Sequence, residues 1–250
     1  MTKLARPDFS HRSSSIEIMD DLNCHGEVVH QTLRELEIIN RWLGGNQVTL
    51  GAVKKMIENR NSDRENVVSI ADLGCGGGDM LKLLADFGRQ HAIPMKLTGI
   101  DANPHIIEFA RKNGKDYPGI SFETRDVFSS GFPETKFDII VGTLFYHHFK
   151  NTALVDLFSR LKNQARLGLV INDIHRHWFA YYSIRLLTRL FSRSAMVRFD
   201  APLSVLRAFS KRDWVNILKE SDIENYRIRW KWAFRWQILI CSPRQGATAQ

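Results

Sequence analysis

Asp72-Leu73-Gly74-Cys75-Gly76-Gly77-Gly78 joins a short apolar run, Val67–Leu73, to an amphipathic one, Asp79–Gln90, whose inner face carries Met80, Leu83, Leu84 and Phe87. A strand, a glycine turn and a helix are the units this pattern predicts. Glycines at such a turn let the backbone bend sharply and let a ligand approach the main chain without meeting a Cβ. The helix that follows offers unpaired N–H groups. The alternation then repeats. Lys96–Asp101, Ile120–Thr124, Phe137–Thr143 and Gly168–Asp173 read as strands, with helices after Asn103-Pro104 and over Asn151–Asn163. Alternation of this kind predicts a mostly parallel sheet with helices on both faces, and ligands at its carboxyl edge. Near the end, Ser210–Asp213 has the pattern of a capping box. Two period-two runs, Tyr226–Lys231 and Phe234–Ile240, then predict an antiparallel hairpin.

The loop narrows the choice of ligand. Counted from Gly74, the third glycine of the dinucleotide fingerprint falls on Asp79, and no Gly-Lys-Ser/Thr follows for a phosphate loop. Asp72, two residues before the first glycine, would repel a pyrophosphate and suits a ligand with an ammonium group. This weakens a nicotinamide-dependent oxidoreductase. Asp101 ends the second strand, where an acid accepts hydrogen bonds from ribose hydroxyls. Asp126-Val127 follows the third strand, at the place of an adenine edge.

With these residues in view, the chain resembles a class I S-adenosylmethionine-dependent methyltransferase, of the broad group that includes the quinone-biosynthesis enzymes. The matching segments are Asp72–Gly78, Gly99-Ile100-Asp101-Ala102, Arg125-Asp126-Val127 and Phe137–Phe149. The resemblance covers residues 67–175 well and 205–241 loosely. It implies a Rossmann-like α/β fold with a seven-stranded, mostly parallel sheet, an antiparallel last strand and an N-terminal helical cap. It implies S-adenosylmethionine as cofactor and S-adenosylhomocysteine as product. By position, Gly74, Cys75 and Gly76 lie under the methionine portion and Asp72 orients its amine. Asp101 and Ala102 lie at the ribose, Asp126 and Val127 at the adenine, and the Gly142 backbone near the amine.

The acceptor is written less plainly. A hydroxyl acceptor needs a general base. His147 and His148 follow the fourth strand and His175 the fifth, and His148 and His175 are the preferred candidates. The strand end Asn172-Asp173-Ile174-His175-Arg176-His177 is unusually polar. The aromatic stretch Trp178–Phe191 follows it and reads as a packed helix, as a lid over a hydrophobic pocket, or as a membrane-surface helix. Arg176, Tyr181 and Tyr182 are the expected acceptor contacts, with the lid facing the N-terminal helices through Trp42. The expected substrate is a small hydrophobic acceptor, O-methylated and aromatic or polyketide-like. The expected partners add transient membrane contact and no stable nucleic acid. From His175 to Arg235 there are thirteen Lys/Arg against five Asp/Glu, a surplus equal to the whole net charge of +8. That keeps an RNA or protein methyltransferase as an alternative, although Gly142-Thr143-Leu144-Phe145 stands where an Asn-Pro-Pro-Tyr tetrad would. A non-enzymatic cofactor-binding relative is the other alternative.

The three cysteines, Cys24, Cys75 and Cys241, form no CxxC pair, so neither a disulfide framework nor a structural zinc site is expected. No other metal site is read from the sequence. With no apolar h-region in Met1–Ser15, the expected location is the cytoplasm. Residues 1–15 are expected to be a disordered tail and 16–66 a helical cap. Residues 67–250 are the expected methyltransferase domain, with a lid insertion over 175–205.

Overall fold

A computed structural model describes residues 7–59, 66–129 and 136–242. Strands β1 (Val68–Leu73), β2 (Met95–Asp101), β3 (Ile120–Thr124), β4 (Phe137–Thr143) and β5 (Ala165–Ile174) lie parallel. Strands β6 (Tyr226–Lys231) and β7 (Arg235–Cys241) add the hairpin, giving a seven-stranded sheet of order β3-β2-β1-β4-β5-β7-β6. β7 runs antiparallel to both its neighbours. This is the Rossmann-like architecture the sequence implied. β4 contributes Ile139, Ile140 and Val141 to a core closed on both faces, as central parallel strands require. β6 is one of the two edges, and its Arg227 and Arg229 stay exposed, which discourages pairing with a further strand.

Two layers cover the sheet. On one face α5 (Asn151–Leu161) and α8 (Lys211–Glu220) bring Leu157, Phe158 and Trp214 against Leu169, Ile171 and Ile238. On the other, α2 (Gly45–Glu58), α3 (Asp79–Gln90) and α4 (Pro104–Asn113) bring Val53, Leu84 and Ile107 against Ile70, Leu97 and Val141. Each such side chain contributes about 1.5–3 kcal/mol by leaving water. Two helix starts follow their sequence signals. Asn103 accepts from the amides of His105 and Ile106, and Ser210 and Asp213 form a reciprocal capping box.

The carboxyl edge is covered by α1 (Glu27–Trp42), α6 (Trp178–Phe191), α7 (Ala195–Arg207) and a 3₁₀ turn at Ile18–Asp20. Val29 and Leu33 of α1 pack with Met196 of α7 and Ile106. Two expectations about chain organisation need correction. The expected cap over 16–66 is split: α1 lies over the edge, but Ala52 and Val53 of α2 are fully buried in the sheet's own layer. Residues 7–15 are not a loose tail. The Ser13 amide donates to the Leu206 carbonyl at 2.9 Å, and Arg12 donates to the carbonyls of Arg207 at 2.6 Å and His147 at 3.0 Å. The Arg12 guanidinium also lies 4.0 Å over the Phe209 ring. Polar residues that read as disorder supply donors to carbonyls that the helix ends leave open. Residues 1–6 of the expected tail and 60–65 of the expected cap lie outside the described residues. Among the described residues no helix is long and apolar enough to cross a membrane.

Candidate active site

A cavity of about 1340 Å³ opens at the carboxyl edge, between the glycine loop below and α1, α6 and the N-terminal strap above. Asp72, Gly74, Cys75, Gly76, Asp101, Ala102, Asp126 and Val127 all line it. Of the loop's three glycines of positive φ, the two in the lining do different things. At Gly76 (φ 50°) an added Cβ would meet nothing nearer than Leu33 at 3.7 Å, so its bare backbone faces the cavity. At Gly74 (φ 64°) a Cβ would stand 2.1 Å from the Phe145 ring, so the room there is taken by the chain's own aromatic. Gly142 is not in the lining. Tyr146 packs on it, with ring atoms 2.6 Å from where a Cβ would be, and Thr143 reaches the cavity instead.

The floor is short of positive charge. Asp72 is buried, and its Oδ1 has no hydrogen-bond partner. Burial, reinforced by the charges of Asp101 and Asp79, pushes its carboxyl up to about 8. Asp101 is also raised by burial, although its oxygens accept from the Asn103 amide at 3.0 Å and the Gly76 amide at 3.3 Å. Burial drives the Cys75 thiol upward too, with Asp101 and Asp72 adding to it. Buried carboxylates of this kind are stabilised only by pairing. An unmatched Asp72 beside backbone left bare by Gly76 fits a ligand with an ammonium group, and does not fit a pyrophosphate.

The far wall carries histidines. His147 is buried, and its Nδ1–H donates to Asp173 at 2.8 Å. Asp173 also accepts from the amides of Tyr146 and His147. Burial alone would raise this carboxyl; the His147 ring outweighs it and holds Asp173 below its ordinary value. His148 is partly open to the cavity, and its Nδ1–H donates to Asp20 at 2.6 Å. Arg207 pairs with Asp20 and donates to the carbonyls of His147 and His148. Against the pull of burial, bonds from His148 and Arg207 lower Asp20 to about 2. Glu17 is left without such compensation at Oε1, and burial raises it to about 7. One donor atom each from Glu17, His147 and His148 lie within 4.8 Å of one another, which is metal-ligand spacing. The Arg207 guanidinium stands 3.6 Å from the same Glu17 oxygen, so any cation there would share it with a fixed positive charge.

The other candidates lie elsewhere. His175 is outside the lining; it packs on Trp236, and its Nδ1 is buried without a partner. Burial, with His177 and Arg176 nearby, lowers it to about 4. Arg176 also does not reach the acceptor space. Its guanidinium is spent on Asp213 at 2.9 Å and on the carbonyls of Ala208, Phe9 and Ser10. Tyr181 packs edge-on against Phe9 and Tyr182 points to solvent, while Phe179, Ser183, Ile184 and Leu187 of α6 line the cavity. The sequence indicated a helix here but not its rotation, so the residues that line the cavity fall one or two places from those expected. Glu17, Asp20 and Arg207 were missed, since lone charged residues far apart in sequence carry no local signal. Asp173 had one: it and Asn172 are consecutive polar residues in an otherwise apolar strand.

The methyltransferase-domain family matches residues 70–168 of the chain. Residues 70–168 therefore carry a methyltransferase domain, of the class that uses S-adenosylmethionine. Solved structures similar to it include the plantazolicin methyltransferase BpumL in complex with S-adenosylhomocysteine (16% identity, 86% of this chain and 99% of that one, TM-score 0.60). Human N-acetylserotonin methyltransferase in complex with S-adenosylmethionine is another (18% identity, 87% and 56%, TM-score 0.59). A third is the CMeT domain structure of the citrinin polyketide synthase (16% identity, 78% and 52%, TM-score 0.59). The chain spans about half the length of the latter two. At these identities the likeness is one of fold. No curated protein matches the chain by sequence.

Proposed function

We propose that this protein transfers a methyl group from S-adenosylmethionine to a hydroxyl of a small, largely apolar acceptor, aromatic or polyketide-like. The observation that carries the reading is one continuous cavity. It is lined both by the acidic glycine loop and by apolar side chains, and His148 is in its wall. Leu33, Leu36 and Ile39 of α1 and Phe179, Ile184 and Leu187 of α6 give this chamber its apolar character. Small-molecule sites are mostly apolar with a few polar groups of this kind. The roof of α1, α6 and the strap supports a compact acceptor over an RNA duplex. Plantazolicin and N-acetylserotonin, after which two of the structurally similar methyltransferases are named, are in keeping with that choice. Three free cysteines support a cytoplasmic setting.

When bound, S-adenosylmethionine supplies a methyl group activated by its sulfonium. Asp72 would hold the ammonium, Asp101 the ribose hydroxyls, and Asp126 and Val127 would border the adenine. Methyl transfer disperses charge, so the apolar chamber that excludes water does not oppose it. Holding the hydroxyl close to the methyl supplies much of the rate. Asp20 accepts the Nδ1–H of His148 and so leaves Nε2 as the free lone pair. On transfer of that methyl group to the acceptor, His148 Nε2 would take up the hydroxyl proton and Asp20 would stabilise the resulting imidazolium. His175, half-buried and outside the cavity lining, has no part in this step.

The test is incubation with S-adenosylmethionine and a panel of hydroxylated aromatic compounds, read as a mass gain of one methyl. His148→Ala should keep S-adenosylhomocysteine affinity and lower turnover by about 100-fold or more, whereas His175→Ala should stay near wild type. Equal turnover in wild type and His148→Ala would remove the base assignment. Methylation of RNA or protein with no small compound modified would remove the substrate class.

A further inference from the structure

We infer that the outer face of α6 and the turn of the β6–β7 hairpin dock on an anionic lipid bilayer, from which a lipophilic acceptor enters the cavity. On α6, Trp178, Tyr182, Leu186 and Leu190 recur every four residues, and all four are exposed. That spacing places them along one side of the helix. The buried residues of the helix are Ala180 and Thr188, on the opposite side. Leu190 is 64% exposed, and Phe191 at the helix end is 79% exposed. Ring contacts carry the apolar surface beyond the helix. Trp178 packs on Phe179 at 5.6 Å, Phe179 on Phe234 at 5.8 Å, and Phe234 on Trp230 at 5.9 Å. Trp232, in the hairpin turn, is 75% exposed. Scattered apolar residues are ordinary on a protein surface, but a connected aromatic and aliphatic patch marks an interaction site.

The charge around the patch selects the partner. Between Asp173 and Asp200 the sequence holds five arginines and no acid. Arg185 and Arg189 are exposed beside the apolar stripe, Arg193 follows the helix, and Arg229 is exposed on the neighbouring edge strand. Apolar side chains at the acyl boundary, arginines among phosphate headgroups, and Trp and Tyr between them are the composition of an interfacial helix. A second copy of the chain is a poorer occupant. Two-fold pairing of this face would set its arginines against each other, and the carboxylate lying at the end of α6, Glu35 of α1, is already taken up by Ser192 and the amides of Arg193 and Ser194. The patch is also continuous with the proposed acceptor chamber. Phe179, Leu187 and Trp232 are exposed at the surface and line the cavity as well. An apolar acceptor thus passes from bilayer to chamber without crossing water. This last step rests on the methyl-transfer reading; the docking itself does not.

The experiment is sedimentation of the full chain with vesicles of phosphatidylcholine alone and of phosphatidylcholine mixed with phosphatidylserine, with tryptophan emission followed in parallel. The expected result is binding to the anionic vesicles, weakened by salt, with a blue shift of emission. Arg185→Gln with Arg189→Gln should lower partitioning by roughly 20- to 30-fold, at about 1 kcal/mol per arginine. Leu186→Glu with Leu190→Glu should abolish binding and leave S-adenosylhomocysteine affinity unchanged, because neither side chain lines the cavity. Failure to bind either vesicle, or binding indifferent to both double variants, would overturn the docking. So would a dimer in ultracentrifugation that Leu186→Glu with Leu190→Glu dissociates. Vesicle binding is read without turnover. Failed docking with methylation of water-soluble acceptors would therefore sink this inference alone, and intact docking without methylation would sink only the proposed activity.

Discussion

At the scale of single residues, the cofactor floor is organised around a carboxyl group that the free protein leaves unsatisfied. Asp72 is raised to about 8, first by burial and then by Asp101 and Asp79. At pH 7 it therefore holds a proton in the free protein. An ammonium placed against its unpartnered Oδ1 favours the ionised form and lowers that value again. Binding of S-adenosylhomocysteine at pH 7 should thus release close to one proton. Calorimetry in buffers of different ionisation enthalpy reads this directly. Asp72→Asn should abolish the buffer dependence and weaken binding by about 10- to 100-fold, the scale of one charge-assisted hydrogen bond. The same proton release in Asp72→Asn would mean that another group meets the amine. The sequence exposed the acid and its spacing to the glycines, but not its protonation. That depends first on its burial and then on Asp101 and Asp79 converging with it in space.

At the scale of elements, legibility followed the range of the forces involved. β3, β4 and α3 were readable to the residue because apolar period and local caps specify them. The hairpin was readable because alternation and its turn lie side by side. The strap of residues 7–20 was not, because its structure consists of long-range polar bonds. Arg12 alone reaches the carbonyls of Arg207 and His147 and the side chain of Asn151. Glu17 and Asp20 then bring charge to the histidine wall from well over a hundred residues away. The lid was legible as a helix, but its inward face depends on α7 packing beneath it. The strap should therefore respond to one change. Arg12→Ala should cost about 2–3 kcal/mol, since hydrogen bonds to a charged group contribute about 1.5–3. It should also open the segment before Glu17 to limited proteolysis while α3 to β5 stay protected. Cleavage at the same rate as wild type would show that the strap is held by its backbone contacts alone.

At the scale of the whole molecule, the acids that build the site cost the free protein stability, and the sign can be worked out. An acid whose folded pKa lies above its unfolded value favours the folded state while it is protonated. That contribution is complete below the unfolded pKa and is lost as pH rises through the folded one. Glu17 moves from 4.5 to about 7 and Asp72 from 3.8 to about 8, both chiefly through burial. Asp101 shifts in the same direction. Asp20 and Asp173 are lowered instead, so their contribution changes only below their ordinary value of 3.8. His175, lowered from 6.5 to about 4, makes stability rise with pH only up to its unfolded value. Between pH 6.5 and 8 the raised acids therefore dominate, and the melting temperature of the free protein should fall across that window. A cofactor ammonium on Asp72 cancels that residue's share, and a ligand that binds only the folded state stabilises it by linkage. The rise in melting temperature caused by S-adenosylhomocysteine should consequently be larger at pH 8 than at pH 6.5. Asp72→Asn should flatten both the fall and the difference. Thermal unfolding of the two proteins at the two pH values, with and without S-adenosylhomocysteine, measures all of this. A free-protein melting temperature that climbs between pH 6.5 and 8 would mean that the floor is paired already, and that the cofactor is held by other means.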